Sequence, residues 1–375
     1  MEPTTTIRDI ESLIVDIPSR RAHQHARALM NGQSYVLIRI STDDGLQGIG
    51  EVATAGGPWW SGDSVESVKV TLDTYISPLL LGADPSRIAS LMTMLDNRLS
   101  NNWFVKAGVE MALFDLAGKR AGLPVHDLLG GRVRDALPIV WPLAVNDEKA
   151  EIAEAEAKLE QNFARHFKVK VGFKEPARDI ARLHNLARHL PADATLRVDI
   201  NEAWDEVTAQ RWLPALEQAG VSLVEQPLSR YNLKGMARLQ NSVRIPLMAD
   251  ESLCTLADAM NLSEMAAARV FSLKLMKSGG IRPSLKIASI AEAAGIAVFG
   301  GCFLESSIGT CAHLHLGASL PALSHGCEWV GPAWLADDLC TQPVRYEDFQ
   351  IHIPTGVGLG FELDEDKLKH YRRDK

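Results

Sequence analysis

Four charged residues follow one another at nearly constant intervals in the middle of the sequence. Each ends a short, apolar, β-rich run, and successive members are 26, 25 and 24 residues apart: Asp199, Glu225, Asp250 and Lys274. Three carboxylates that converge in a pocket of low dielectric need a cation, and ligation by oxygen alone favours Mg²⁺ or Mn²⁺ over zinc. For one acid taken alone, a helix N-cap or a salt bridge is an equally good interpretation. The repeated interval favours a shared metal site, where the ion would act as a Lewis acid on a substrate carboxylate.

Two lysines precede this series in the segment FKVKV. Side chains of a strand alternate with period two, so Lys168 and Lys170 lie on one face. If that face is buried beside a metal, each ammonium disfavours the other's charge, and we expect at least one pKa to fall toward neutrality. Lys274 comes from the other side of the carboxylate series, and lysines on two sides of a bound carboxylate suit proton transfer at the adjacent carbon. The alternative is a basic strand whose lysines face solvent.

The elements that carry these residues alternate between short β-branched runs and amphipathic helices. We predict helices near 178–190, 207–219, 256–267 and 282–294, each between two strands. This alternation is typical of parallel strands with helical crossovers. The even spacing predicts an α/β fold, a (β/α) barrel of about seven or eight units over residues 132–335, whose active site lies at the carboxyl ends of the strands.

The segments on either side of the barrel do not show this regular alternation of strands and helices. Residues 1–131 predict an α+β capping domain with strands at 7–16, 34–41 and LQGIGEV, and with helices near 63–80, 86–99 and 104–121. Asp63 is the predicted N-cap of the first helix. The loop 53–62, ATAGGPWWSG, interrupts the pattern. Residues 336–375 contain a predicted strand, FQIHIP, and we expect this segment to return to the capping domain.

Composition restricts the class of protein. The 375 residues carry a net charge of −8, with 46% hydrophobic and 23% charged residues, and no basic block that would track a nucleic acid. The longest apolar run, at 293–304, is shorter than the ~20 residues of a membrane span. The acidic N-terminus lacks the features of a signal peptide. Five cysteines without a CxxC pair indicate free thiols and a cytoplasmic location.

The motifs KVK, RVDIN, VEQP, ADES and SLK, in this order, resemble those of the enolase superfamily, specifically its muconate-lactonizing subgroup. The resemblance covers essentially the whole chain: capping domain, barrel and returning tail. It implies that Asp199, Glu225 and Asp250 are ligands of Mg²⁺ or Mn²⁺.

The same resemblance implies roles for the lysines. Lys170, the second lysine of the KxK pair, matches the general acid/base. Lys168 matches the neighbour that lowers its pKa, and Lys274 matches the opposite lysine. Asn201 follows the first acid by two residues, on the same strand face, and is a candidate contact to the substrate or to a metal ligand.

The late segment HGCEWVGP distinguishes members of the subgroup. Glu328 matches a glutamate that is assigned as a proton donor in muconate cycloisomerases. Dipeptide epimerases carry an Asp-x-Asp pattern there, which the sequence Cys327-Glu328-Trp329 lacks. Taken alone, Glu328 could equally be a buried, hydrogen-bonded acid.

The loop 53–62 resembles the flap that closes over the substrate in this subgroup, which makes Ala55 and Trp60 candidate substrate contacts. Many muconate enzymes have a bulkier residue at the position of Ala55. The run Pro58-Trp59-Trp60 is closer to chloromuconate relatives and to some other muconate enzymes. Packing between domains is an equally good interpretation of the two tryptophans.

Taken together, the resemblance implies an isomerase that interconverts cis,cis-muconate and muconolactone through an enediolate, in bacterial catechol degradation. The partner is then a small dicarboxylate substrate, and the subgroup often forms homo-octamers. Chloromuconate cycloisomerisation and dipeptide epimerisation or racemisation on the same residues are alternatives. A barrel that binds without turnover is a further alternative, against which the intact KxK pair and carboxylates argue.

Overall fold

An antiparallel sheet forms the N-terminal part of the computed structural model, which describes residues 5–24, 28–172 and 174–373. Its strands are β1 (Ile7–Gln24), β2 (Leu29–Thr42) and β3 (Gln47–Ala53), in the order β1-β2-β3. The first two strands are longer than predicted, because pairing resumes after Pro18 through a register shift that ends at His23. Gly45, with φ +88°, makes the predicted hairpin turn between β2 and β3.

Helices pack against this sheet. They are α1 (Val65–Thr71), a π-helical turn (Leu72–Ile76), α2 (Ser77–Leu80), α3 (Ile88–Arg98), α4 (Trp103–Ala121) and α5 (Val125–Leu128). The N-cap of α1 is Ser64, which accepts a hydrogen bond from the Ser67 amide, so the predicted cap at Asp63 is wrong by one residue. A Cβ on Gly50 of β3 would lie 2.0 Å from the carbonyl oxygen of Gly108 in α4. Only glycine therefore permits this close approach of helix and sheet.

The strand β4 (Ala136–Pro138) leads into a parallel barrel of eight strands. These are β5 (Val140–Leu143), β6 (His166–Lys170), β7 (Thr195–Asp199), β8 (Val221–Glu225), β9 (Leu247–Ala249), β10 (Val270–Leu273), β11 (Ala297–Gly300) and β12 (Leu323–Cys327). They neighbour one another in chain order, and a parallel bridge between Ile139 and Cys327 nearly closes the ring. The predicted (β/α) barrel with its capping domain is confirmed.

Helices follow the barrel strands, and most of them connect one strand to the next. They are α6 (Glu148–Glu160), α7 (Pro176–His189), α8 (Glu206–Gln218), α9 (Leu233–Ser242), α10 (Leu256–Glu264), α11 (Leu275–Ser278), α12 (Ile281–Ala293), α13 (Ser307–Ser319) and α14 (Gly331–Trp334). Inside the barrel, a small apolar cluster that includes Leu223, Met248 and Phe299 is fully buried. In the described ranges, no helix has the length and apolarity that crossing a bilayer requires.

The C-terminal segment contacts both parts of the molecule. It contains β13 (Tyr346–Glu347), β14 (Gln350–His352) and α15 (Glu365–Tyr371). The predicted strand FQIHIP, observed as β14, pairs with β13 and β4 at the start of the barrel and not with the capping sheet. Helix α15 instead packs on β1, where Arg372 bridges to Val15 and Arg373 binds Asp16 at 2.6 Å. The domain boundaries at 131 and 335 stay predictions.

Candidate active site

The predicted lysines and acids lie together at the carboxyl ends of strands β6 to β10. Register pairs Lys170 with Asp199 across β6 and β7, and Asp199 with Glu225 across β7 and β8. The side chains of this group point into the barrel, and none of the residues is more than 5% exposed: Lys168, Lys170, Asp199, Glu225, Asp250 and Lys274. Because these side chains are buried, solvent screens their charges weakly.

Two oxygen acceptors orient Lys170. Its Nζ donates to Asp199 Oδ2 at 2.6 Å and to Asn201 Oδ1 at 2.9 Å. Asn201 in turn donates from Nδ2 to Glu251 Oε1 at 3.0 Å. Asn201 has φ +44°, in the left-handed region, which turns its side chain back toward the strand end. Asn201 therefore contacts Lys170 through its side chain, and its backbone amide donates to the predicted metal ligand Asp199 at Oδ1, at 3.0 Å. Glu251, which accepts from the Asn201 side chain, was not identified by any motif as a site residue.

Lys168 lies among three carboxylates. Its Nζ is 2.9 Å from Glu225 Oε2 and 3.5 Å from Asp199 Oδ2, and it also contacts Glu328. Burial alone would lower the pKa of the Lys168 ammonium, but the charges of these carboxylates raise that pKa well above its ordinary value. Sequence spacing did not reveal that three acids face this ammonium. The expected fall of at least one lysine pKa beside a metal stays a prediction.

Asp250 is held between two lysines. Lys274 Nζ lies 2.7 Å from its Oδ2, and Lys277 Nζ lies 2.8 Å from its Oδ1. Burial would raise the pKa of Asp250, but the two ammonium groups hold it well below its usual range. Lys277 is fully buried and was missed. Its spacing of three residues from Lys274, across a helical turn, is the signal that could have identified it.

The carboxylate oxygens fit a hard divalent cation by their chemistry. Glu225 Oε1 is buried without a hydrogen-bond partner, and burial together with the charge of Asp199 raises the pKa of Glu225 to about 8. Such an oxygen is a ready acceptor for a cation. Over the part of the chain that the structure describes, no three Asp, Glu, His or Cys side chains form a preformed metal cluster. Lysines neutralise the acids in this arrangement.

The flap 53–62 covers this end of the barrel. Both predicted flap contacts, Ala55 and Trp60, line the pocket and are buried. The Trp60 ring packs edge-on against Phe303, with ring centres 4.7 Å apart, and also lies 6.4 Å from the ring of Phe104. Lys274 Nζ lies 5.4 Å from the Trp60 ring. Trp60 therefore both packs between the two parts of the molecule and lines the pocket.

Further pocket residues were missed from the sequence. His23 reaches the pocket from β1, and Cys302, Phe303 and Leu304 reach it from the loop after β11. Burial lowers the pKa of His23 well below its ordinary value, and the charge of Lys170 lowers it further. None of these residues belongs to a repeated motif, so their place in the pocket could not be predicted from the sequence.

The capping sheet fixes the loop that supplies three of these residues. Gln33 Nε2 donates to the Phe303 carbonyl at 2.7 Å, and the Tyr35 hydroxyl donates to the Leu304 carbonyl at 2.6 Å. Gln33 Oε1 also accepts from the flap amide of Gly56 at 2.9 Å. One buried glutamine thus connects the flap to the opposite wall of the pocket.

Known protein families match both the capping part and the barrel of this chain. A family model described as mandelate racemase / muconate lactonizing enzyme, N-terminal domain, matches residues 9–130, and one described as enolase C-terminal domain-like matches residues 150–367. A chloromuconate cycloisomerase of Cupriavidus pinatubonensis is 46% identical over 96% of this chain and 97% of its own. Muconate cycloisomerase 1 of Pseudomonas putida is 44% identical over 98% of both chains.

A solved structure also matches this chain over nearly its full length. The muconate lactonizing enzyme from Pseudomonas fluorescens, complexed with muconolactone, superposes with a TM-score of 0.97 at 45% identity, over 99% of this chain and 100% of that one. Similarity of sequence and of fold therefore extends over nearly the full length of the chain. The resemblance predicted from the motifs is confirmed: this chain belongs to the muconate lactonizing enzyme family of the enolase superfamily.

Proposed function

We propose that this protein is a metal-dependent isomerase that interconverts cis,cis-muconate and muconolactone. The observation that carries the proposal is that Lys170 and Lys274 reach one buried pocket from different strands, each bound to a carboxylate within 2.7 Å. Full-length similarity to muconate and chloromuconate cycloisomerases supports it. So does the muconolactone complex of the Pseudomonas fluorescens enzyme.

A divalent metal is the cofactor expected for muconate cycloisomerases of this superfamily. In this chain Asp199, Glu225 and Asp250 would hold it. When bound, the ion supplies the positive charge that stabilises negative charge on a substrate carboxylate. Ligation by carboxylates suits Mg²⁺ and Mn²⁺ alike.

The lysines move the proton. One carboxylate of muconate adds an oxygen to the conjugated double bond, which closes the lactone and shifts electrons into the far carboxylate as an enediolate. Lys170 then delivers a proton to the carbon beside that carboxylate, and in reverse it removes the same proton. Lys274, from the other strand, stabilises the developing negative charge. Asn201 orients the Lys170 ammonium, because the Asn201 Oδ1 atom accepts one of the hydrogen bonds that Lys170 donates.

Glu328 and Lys168 form the adjoining wall of the pocket. Glu328 lines the pocket and contacts Lys168, so its carboxyl is held where it can contact the substrate. The role of proton donor that the resemblance implies for Glu328 stays a prediction, since ring closure takes up one proton and Lys170 supplies it. Lys168 lies beside Asp199 as well and contributes positive charge next to Lys170. Ala55 and Trp60 of the flap close the pocket above the substrate and exclude water from the proton transfer.

A chloromuconate cycloisomerase is the second candidate. Ala55 and Cys302 are small side chains in the pocket wall, where a chlorine substituent needs room. The relative that is 46% identical bears that name. Epimerisation of dipeptides is less favoured, because the sequence Cys327-Glu328-Trp329 lacks the Asp-x-Asp pattern.

A substrate screen tests the proposal. The purified protein, with added Mg²⁺ or Mn²⁺, is assayed with cis,cis-muconate and with 2- and 3-chloromuconate by loss of diene absorbance. Dipeptides are assayed by deuterium exchange in D₂O. We expect the highest kcat/KM with cis,cis-muconate, and loss of activity in a chelator. Higher kcat/KM with a chloromuconate selects the second candidate, and turnover of dipeptides alone contradicts both.

Assembly and location stay predictions. The homo-octamer implied by the resemblance is tested by light scattering on the purified protein. The cytoplasmic location is supported by the five cysteines, all of which are free thiols in the structure.

A further inference from the structure

The flap is tied to the barrel at Trp60 through an arginine. The Trp60 carbonyl oxygen accepts a hydrogen bond from Arg230 Nη1 at 3.3 Å. The guanidinium carbon of the same arginine lies 5.2 Å from the centre of the Trp60 ring, within range of a cation–π interaction. Because Lys274 Nζ lies 5.4 Å from this ring, the side chain that Arg230 holds is also the one that covers Lys274.

A carboxylate holds the arginine in turn. Arg230 Nε and Nη2 donate to Glu202 Oε1 and Oε2 at 3.1 and 2.9 Å, and the Arg230 amide donates to Oε1 at 2.6 Å. The two parallel side-chain bonds form the fork geometry that fixes a guanidinium in one orientation. The side chain of Glu202 is 5% exposed and that of Arg230 is 21% exposed, so water competes little for the pair.

Both residues lie on loops that begin at proposed metal ligands. Glu202 follows Asp199 by three residues, and Arg230 follows Glu225 by five. The Glu202 amide donates to the Gln226 carbonyl at 2.9 Å, which ties the two loops together. The position of the arginine is therefore set by the same two strand ends that set the carboxylates of the pocket.

We propose that the Arg230–Glu202 pair is a latch that holds the flap closed over the pocket. Arg230 is a positioning residue, since it acts through the backbone and ring of Trp60. The purpose of the latch, exclusion of water from proton transfer at Lys170, rests on the proposed function. Its existence rests on the contacts alone.

The chain offers a matched control pair. Arg238 of α9 and Glu206 of α8 form the same fork, with Nε and Nη2 each 2.6 Å from the carboxylate oxygens. These helices follow the same strands, β8 and β7. The side chain of Arg238 is 57% exposed and lies on an outer helix of the barrel. Loss of this pair removes one bidentate ion pair, as loss of the latch does.

Limited digestion with chymotrypsin, in the absence of substrate, measures how often the flap opens. Chymotrypsin cleaves after aromatic residues, and cleavage of a native protein tracks the open population when opening is fast. Cuts within 59–61 are quantified by mass spectrometry for the parent and for Arg230→Met, Glu202→Gln and Arg238→Met. We expect about tenfold faster cleavage in the first two variants, as loss of charge-assisted hydrogen bonds implies, and the parent's rate in the third.

The outcomes separate the latch from the proposed function. Cleavage at the parent's rate in both latch variants, with native circular dichroism, overturns the latch. Cleavage that rises equally in Arg238→Met also overturns it, because the effect is then general destabilisation. If the latch variants are cleaved faster at the flap but the parent protein turns over no muconate, the function is refuted and the latch stands. With an active parent, we expect Arg230→Met to raise KM about tenfold; a loss confined to kcat, without faster cleavage, means that Arg230 acts on the chemistry instead.

Discussion

Lys168→Met removes the one ammonium that three buried carboxylates share, and we expect it to destabilise the metal-free protein by about 3 kcal/mol. The Nζ atom is 2.9 Å from Glu225 and 3.5 Å from Asp199, and it contacts Glu328. Removing one partner of a buried ion pair costs about 3–5 kcal/mol, because the remaining charge stays desolvated. We expect the low end of this range, since the pKa of Glu225 is already raised to about 8 and the carboxyl can take up a proton.

Denaturation in urea at pH 7.5 measures the effect, with and without a chelator. A divalent cation binds the native carboxylates that Lys168 no longer neutralises, so added Mg²⁺ or Mn²⁺ should stabilise the variant more than the parent. At a concentration of 100 times Kd the gain is about 2.7 kcal/mol. The exposed Lys286→Met is the control, and it should change stability by less than about 0.5 kcal/mol. A variant as stable as the parent in chelator, or one that gains no more from the metal, refutes the reasoning.

Three further predictions concern chemistry, pH and packing. Lys170→Ala should lower kcat by about 10²–10⁴-fold in the diene assay with unchanged circular dichroism, as loss of a general acid implies; full activity would contradict its role. Burial raises the pKa of Glu51 from 4.5 to about 8, so the folded protein retains a proton that the unfolded chain has released, and stability falls as pH rises through this window. Glu51→Gln should remove that fall, and a difference in urea midpoint that is constant with pH would count against it. Gly50→Ala, whose Cβ would meet the Gly108 carbonyl, should cost about 1–3 kcal/mol in urea denaturation, and an unchanged midpoint would mean that helix α4 shifts freely.

The sequence predicts the barrel and its charged centre because both repeat. Intervals near 25 residues place acids at equivalent ends of adjacent strands, and the register of Asp199 with Glu225 agrees with that placement. Alternation within β6 puts Lys168 and Lys170 on one face, and the structure buries both. A repeated pattern is robust, since several weak local signals agree with one another.

Features that depend on a single contact between distant segments were not predictable in the same way. His23 enters the pocket from the capping sheet, and Glu251 contacts Asn201, which in turn binds Lys170. The N-cap of α1 shows that even a local feature can be ambiguous in the sequence. Asp63 and Ser64 both have side chains that cap helices, and only backbone geometry selects Ser64.

Helix α15 has a consequence for how the protein avoids aggregation through an edge strand. Strand β1 has 18 residues and lies at the margin of its sheet, with β2 on one side only. Unpaired backbone along such a margin is a template for aggregation. The bridge from Arg372 to Val15 and the ion pair of Arg373 with Asp16 cover part of this margin. Removal of residues 365–373 should therefore expose a surface for intermolecular strand pairing, even though no residue of the pocket is lost.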